Sequence, residues 1–254
     1  MSRSVPLPPA RTRRALALLP LLGTIALAAC TTTGEPPDSA PATTAPSSTS
    51  ASAPPTGAPS PSASSPRVTI PTSAFVELPA ELRKSPRRTT PVDEALPTLC
   101  GNEFGTGGRQ VTASAAMTVT YQTAGEPASN VPQGMIHQTI FTFDGAGASA
   151  YLDRLRTAVR ACPSYEQAGN RVTVKSEVLS GVGGEGLLLT RTWPETSLNG
   201  ERTGGTASSQ IAVARVDSTV TVFNDQGWEG TSGNPAILDR VVRDGVRVID
   251  AWQR

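Results

Sequence analysis

Along the second half of the chain, apolar and polar residues alternate with two distinct periods. Val111, Ala113, Ala115, Met117, Val119 and Tyr121 share one parity, and Thr112, Ser114, Thr118 and Thr120 take the other. A period of two marks a half-buried strand. Met135 to Phe143 is apolar on both parities, which suits a central strand. From Gly147 the period lengthens. Ala148, Tyr151, Leu152, Leu155, Val159 and Cys162 fall on one face of a helix, with Asp153, Arg154, Arg156 and Arg160 on the other, and Pro163 stops it. Further strands are expected over Arg171 to Leu179, Gly186 to Trp193, Gln210 to Val216 and Thr219 to Phe223, with Asp217-Ser218 as a tight turn and Pro194 to Gly205 as a polar loop. A second long helix runs from Pro235 to about Trp252. Asn234 is its N-cap, Pro235 its first residue, and Ile237, Leu238, Val241, Val242, Val246, Ile249 and Trp252 its apolar stripe. A short helix is expected over Val92 to Leu99. The pattern predicts an α+β fold: a mostly antiparallel sheet with two main amphipathic helices packed on it, in a single domain over residues 91–254.

The first third has neither period. Residues 1–29 hold Arg3, Arg11, Arg13 and Arg14, no acid, and then the apolar run Ala15 to Ala29. That is the layout of an export signal. The run is shorter than a bilayer span and Pro20 interrupts it. It ends in Leu27-Ala28-Ala29-Cys30, which resembles the bacterial lipobox. The resemblance implies cleavage before Cys30 and lipid on its thiol, and more than one acyl chain gives stable anchoring. Residues 30–66 are the lipidated cysteine and a Thr/Pro/Ser/Ala stalk, too poor in apolar residues to offset ordering entropy. Residues 67–90 read as a transition. Their cluster Arg83, Lys84, Arg87, Arg88 reads as a solvated charge run, the alternative being contact with anionic headgroups or wall polymer.

Charge narrows the function classes. Four of the 22 Lys and Arg residues lie in the leader, so the rest of the chain holds 18 against 21 acids, a net charge of −3. A nucleic-acid partner would call for a basic stripe. Cys100 and Cys162 are the cysteines left after Cys30, and in an exported domain two cysteines pair.

No catalytic constellation emerges, so the chain reads as a non-enzyme with no metal and no cofactor. His137 is the one histidine and sits within a strand pattern, where a structural role is the simpler reading. The glycine-rich run Gly181 to Gly186 lacks the Lys-Ser/Thr end of a phosphate loop and precedes a strand, so it reads as a hairpin turn. Trp228, flanked by Gly227 and Gly230, either stacks on a ligand or folds back on the core. Trp193 and Arg191, at the end of one strand, are candidates to line the same cleft.

Several short motifs occur in a telling order. The lipobox and stalk come first, then Leu99-Cys100, Ala161-Cys162-Pro163, Gly183-Gly184-Glu185-Gly186, Val216-Asp217-Ser218-Thr219-Val220 and the C-terminal helix. From Leu96 to Trp252 this order resembles the actinobacterial sensor-domain lipoproteins, which are similar to the extracellular domain of PknH-type serine/threonine kinases. The resemblance implies a mixed α/β sensor fold with a cleft over an antiparallel sheet, an extracellular ligand, and a place on the outer face of the cell membrane. Kinase-linked domains of this type carry two disulfides; this chain has cysteines for one. The expected function is therefore an anchored ligand-binding or sensing domain. The alternative is a protein-interaction module that assists an envelope complex.

Overall fold

The computed structural model describes residues 68–105, 109–197 and 199–254. All belong to the second of the chain's two units, Pro61–Arg254. The leader, Cys30 and the stalk lie outside the described residues. Eight strands form one sheet: β1 (Arg83–Thr90), β2 (Val111–Tyr121), β3 (Gly134–Phe143), β4 (Ser164–Gln167), β5 (Asn170–Val178), β6 (Glu185–Thr196), β7 (Arg202–Val216) and β8 (Thr219–Gly227). Their spatial order is β1-β2-β3-β8-β7-β6-β5-β4, and every neighbouring pair is antiparallel. The helices are α1 (Val92–Ala95), α2 (Gly147–Arg160) and α3 (Pro235–Gln253).

This corrects the expected α+β fold with two main helices on a sheet. The sheet is the body of the domain, and helices are few: one long C-terminal helix, a shorter one of 14 residues and a single turn. Nor do α2 and α3 form a layer together. The parity of each central strand assigns them to opposite faces. Phe141, Phe143, Leu189, Ile211, Val213, Val220 and Val222 pack with Tyr151, Leu152, Leu155 and Val159 of α2. Their strand neighbours Ile136, Ala212, Ala214 and Phe223 pack with Ile237, Leu238, Val241 and Val242 of α3. A strand covered on both sides is buried at both parities, which is why β3, β8 and the Ile211–Val216 half of β7 are buried almost throughout. Gly245 lets α3 approach: a Cβ there would lie 2.6 Å from Phe223 Cζ.

The structure also differs locally from these expectations. Leu96 leaves the α1 helix in extended conformation because Pro97 follows it. The polar loop after Trp193 is instead the outer half of the β6–β7 hairpin, whose ladder continues to Thr196 and Arg202; exposed on both parities, it shows no apolar period. The short strand β4 was not foreseen. The basic cluster is largely exposed, as a solvated run would be, but it lies within the domain as edge strand β1, where charges and Pro86 deter pairing with another chain. Arg83 pairs with Glu77 at 3.1 Å, Arg87 Nη1 donates to the Phe75 carbonyl at 2.7 Å, and Lys84 Nζ donates to the Ala128 carbonyl at 2.7 Å. The preceding segment is core as well. Phe75, Val76 and Leu78 are buried, and Val76 N donates to Gln138 Oε1 at 2.8 Å. Packing thus begins before residue 91.

Other expectations hold. Asn234 Oδ1 accepts from Ala236 N and Ile237 N, capping α3. Cys162, just past α2, is joined to Cys100 with Cα atoms 5.8 Å apart. The glycine-rich run joins β5 to β6, and Gly184 N donates to the Arg215 carbonyl at 2.8 Å. There Glu185 accepts from Arg156 of α2 at 2.9 Å and Arg215 of β7 at 2.8 Å, tying helix to sheet.

Candidate functional site

The site arises where the sheet divides. Strands β7 and β8 pair from Val216↔Thr219 to Ile211↔Asn224 and no further. Beyond that point β8 stays with β3, and β7 stays with β6. The chain after β8 folds back across the gap, where Gly233 N donates to the Ser208 carbonyl at 2.8 Å. Gly227 begins this return, and a Cβ on it would collide with the Thr231 carbonyl.

On the α2 side, the sheet face is apolar under the helix and polar past its end. In register order the polar part carries Arg191 on β6, Ser209 on β7, Asn224 and Gln226 on β8, His137 on β3 and Thr118 on β2. A half-open cleft of about 320 Å³ lies over this part. Arg191, Ser209 and Gln226 lie in its lining, Trp193 and Val172 add apolar surface, and the β4–β5 turn borders it at Ala168. That turn has Ala168 at φ 49° and Gly169 at φ 75°. Two successive positive φ values match the twist of a tight hairpin.

Arg191 staples the division. Its side chain is buried, 7% exposed. Nε donates to Ser209 Oγ at 3.0 Å, and Nη2 donates to Asn224 Oδ1 at 3.0 Å and to the Asp225 carbonyl at 3.1 Å. The guanidinium thus bridges two strands that no longer pair, and it satisfies a backbone acceptor left without a β7 partner. Burial pulls its pKa below the ordinary arginine range, while the Tyr165 hydroxyl and the charge of Asp225 pull it back.

Asp225 points to the other face, toward α3, and is 1% exposed. Tyr121 Oη–H donates to its Oδ1 at 2.8 Å, and Asn234 N donates to its Oδ2 at 2.8 Å. Burial raises this carboxyl to about 6 against hydrogen bonds from Tyr121 and Asn234 that favour its charge. The Tyr121 hydroxyl is pushed up by its own burial and then by Asp225. This group holds the start of α3 to the sheet directly behind the cleft.

The structure brings two of the three sequence candidates together: Arg191 and Trp193 line the cleft. Trp228 does not. It sits half-buried in a short helical turn, its backbone N–H donating to the Gln133 carbonyl at 3.0 Å, beside the lining residues Gly227 and Gly230. Ser209, Asn224 and Gln226 escaped notice because small polar residues in a strand are ordinary until register sets them under one cleft. His137 is buried, with Nδ1 2.8 Å from Thr118 Oγ1, whose hydroxyl is 2.6 Å from Thr90 Oγ1. Burial and then Arg88 lower its pKa against a hydrogen bond with Gln226, and the net shift favours the neutral imidazole in this strand-to-strand chain. Cys100, Glu103 and Cys162 cluster at metal-like distances, but the disulfide occupies both sulfurs.

No protein-family model matches the chain. No curated protein matches it either. Among solved structures, the extracellular domain of PknH from Mycobacterium tuberculosis is similar at 14% identity with a TM-score of 0.41, over 68% of this chain and 80% of that one. At that identity and score the likeness does not define a function for this chain. Among the described residues, no helix is long and apolar enough to cross a membrane.

Proposed function

We propose that this chain is an extracytoplasmic lipoprotein, anchored through Cys30, whose sheet domain binds a small extracellular ligand in a sensing role. The observation that carries the binding part is the cleft: a concave site with a buried cation, Arg191, and an aromatic wall, Trp193, at a break in the sheet. The anchor rests on the basic leader and on Leu27-Ala28-Ala29-Cys30. The stalk composition and the Cys100–Cys162 disulfide suit an exported protein. The protein-interaction reading has less behind it: among the described residues the exposed large apolar side chains are Val68, Val131 and Val178, far apart in sequence.

Two experiments test this. Cys30→Ser protein is expected to stay unprocessed or leave the membrane; wild-type cleavage and membrane retention refute the anchor. Thermal shift of the full-length chain in detergent, against wall fragments, lipids and small organic solutes, is expected to give hits that Trp193→Ala weakens. A panel without a single stabilising compound, charged or neutral, overturns the binding role.

A further inference from the structure

We infer that the cleft takes a small organic acid, with its anionic oxygens on Arg191 and its carbon frame against Trp193. The inference rests on the ligand-binding reading above and names the ligand's chemistry.

Three observations carry it. First, the lining is unbalanced in charge. Among the described residues, its lining includes one cation, Arg191, and no aspartate or glutamate. The acid next in sequence to the floor, Asp225, turns its carboxylate to the opposite face, where Tyr121 and Asn234 hold it. Second, the hydrogen-bond partners of the guanidinium on Nε and Nη2 are neutral, a hydroxyl, an amide oxygen and a backbone carbonyl, and the charge of Asp225 reaches it from the far face of the sheet and not from the cleft. A buried cation is ordinarily paired, because desolvation is costly without a counter-charge. Nε and Nη2 have spent their hydrogens on these three acceptors, which leaves the Nη1 edge for Tyr165 and the cleft. Third, one neighbouring group in the lining is turned to donate: Ser209 Oγ accepts from Arg191, which frees its own hydrogen. A hydroxyl donor beside a cation that meets no acid on the cleft side fits carboxylate or phosphate oxygens, which only accept. The indole of Trp193 and the side chain of Val172 supply flat apolar contact for the rest of the ligand. A volume of about 320 Å³ fits a compact ligand and not a polymer.

The test uses the full-length chain in detergent and four probes followed by calorimetry: benzoate, phenyl phosphate, inorganic phosphate and the neutral isostere benzamide. Benzoate or phenyl phosphate is expected to bind about tenfold or more tightly than benzamide, the ratio for one charge-assisted contact. Comparison of those two acids separates carboxylate from phosphate. Arg191→Gln should abolish the preference. Should that variant fail to fold, Ser209→Ala, which removes one donor, should weaken the acids and leave benzamide unchanged, and added salt should do the same. Trp193→Ala should weaken phenyl phosphate more than inorganic phosphate. Equal binding of benzamide and the acids, or acid binding indifferent to both Ser209→Ala and salt, overturns the anion assignment and leaves a ligand-binding cleft standing. If these probes and the wider panel all fail to bind, the cleft reading itself goes, and this inference with it.

Discussion

Replacing Asp225 with asparagine should change how stability depends on pH, in a direction the structure determines. The carboxyl is raised from 3.8 to about 6 by burial. Between those values the native state holds a proton that the unfolded chain has released, so stability falls as pH rises through the window. The slope is about 1.4 kcal/mol per pH unit, and the whole window amounts to about 3 kcal/mol. Other carboxylates titrate nearby, so the quantity to read is the difference between wild type and Asp225→Asn. Asparagine keeps the shape, can present its oxygen to Asn234 N and its amide to Tyr121 Oη, and does not titrate. Urea unfolding of both proteins, followed by tryptophan fluorescence from pH 4 to 7, should show wild type losing about 3 kcal/mol relative to the variant as pH rises. A constant difference across that range would mean an ordinary carboxyl, and a wild-type advantage that grows with pH would reverse the sign. Either result would refute the account of Asp225 as a buried carboxylate held against its desolvation cost.

Three further outcomes follow from the packing. Cys100→Ser with Cys162→Ser opens a link across 62 positions and should lower stability by about 4 kcal/mol on the chain-entropy model, matched by reduction of the wild type and checked by urea midpoints. Gly245→Ala gains roughly 1 kcal/mol of helix propensity but drives a methyl group into the buried Phe223 ring, so a net loss of about 1 kcal/mol is expected. Adding Phe223→Leu should recover part of it. Glu185→Gln weakens the tie from Arg156 to Arg215 and should cost up to about 1 kcal/mol, since these side chains are partly exposed. Hydrogen bonding to Arg156 and then Arg215 holds this carboxyl below its ordinary 4.5, so its contribution is present above that pH and fades as pH falls through the native value.

The strands and helices with a clear period were legible in the chain because burial on one face imposes that period. So were the Asn234 cap, the turn at Gly183 and the pairing of Cys100 with Cys162. Strand β1 was not, since its sequence Arg-Lys-Ser-Pro-Arg-Arg is polar on both parities. An edge strand needs only a backbone ladder on one side and gains protection from charge on the other. The outer arms of β6 and β7 were hidden for the same reason. Of the site, Arg191 and Trp193 were visible as unusual residues at a strand end, while Trp228, equally conspicuous between glycines, lies beside the lining and not in it.

By itself the sequence determined local matters: which segments bury a stripe or a face and where helices start. Only the tertiary structure decided which face each helix covers, because parity assigns residues to two sides without saying what lies on either. It alone decided that β7 and β8 part after Ile211 and Asn224, since ladder length depends on twist and on the chain that returns through the gap. It alone made Arg191 a buried cation among neutral partners. Ser209, Asn224 and Asp225 are 18, 33 and 34 residues away in sequence, and no local pattern records contacts made across a sheet.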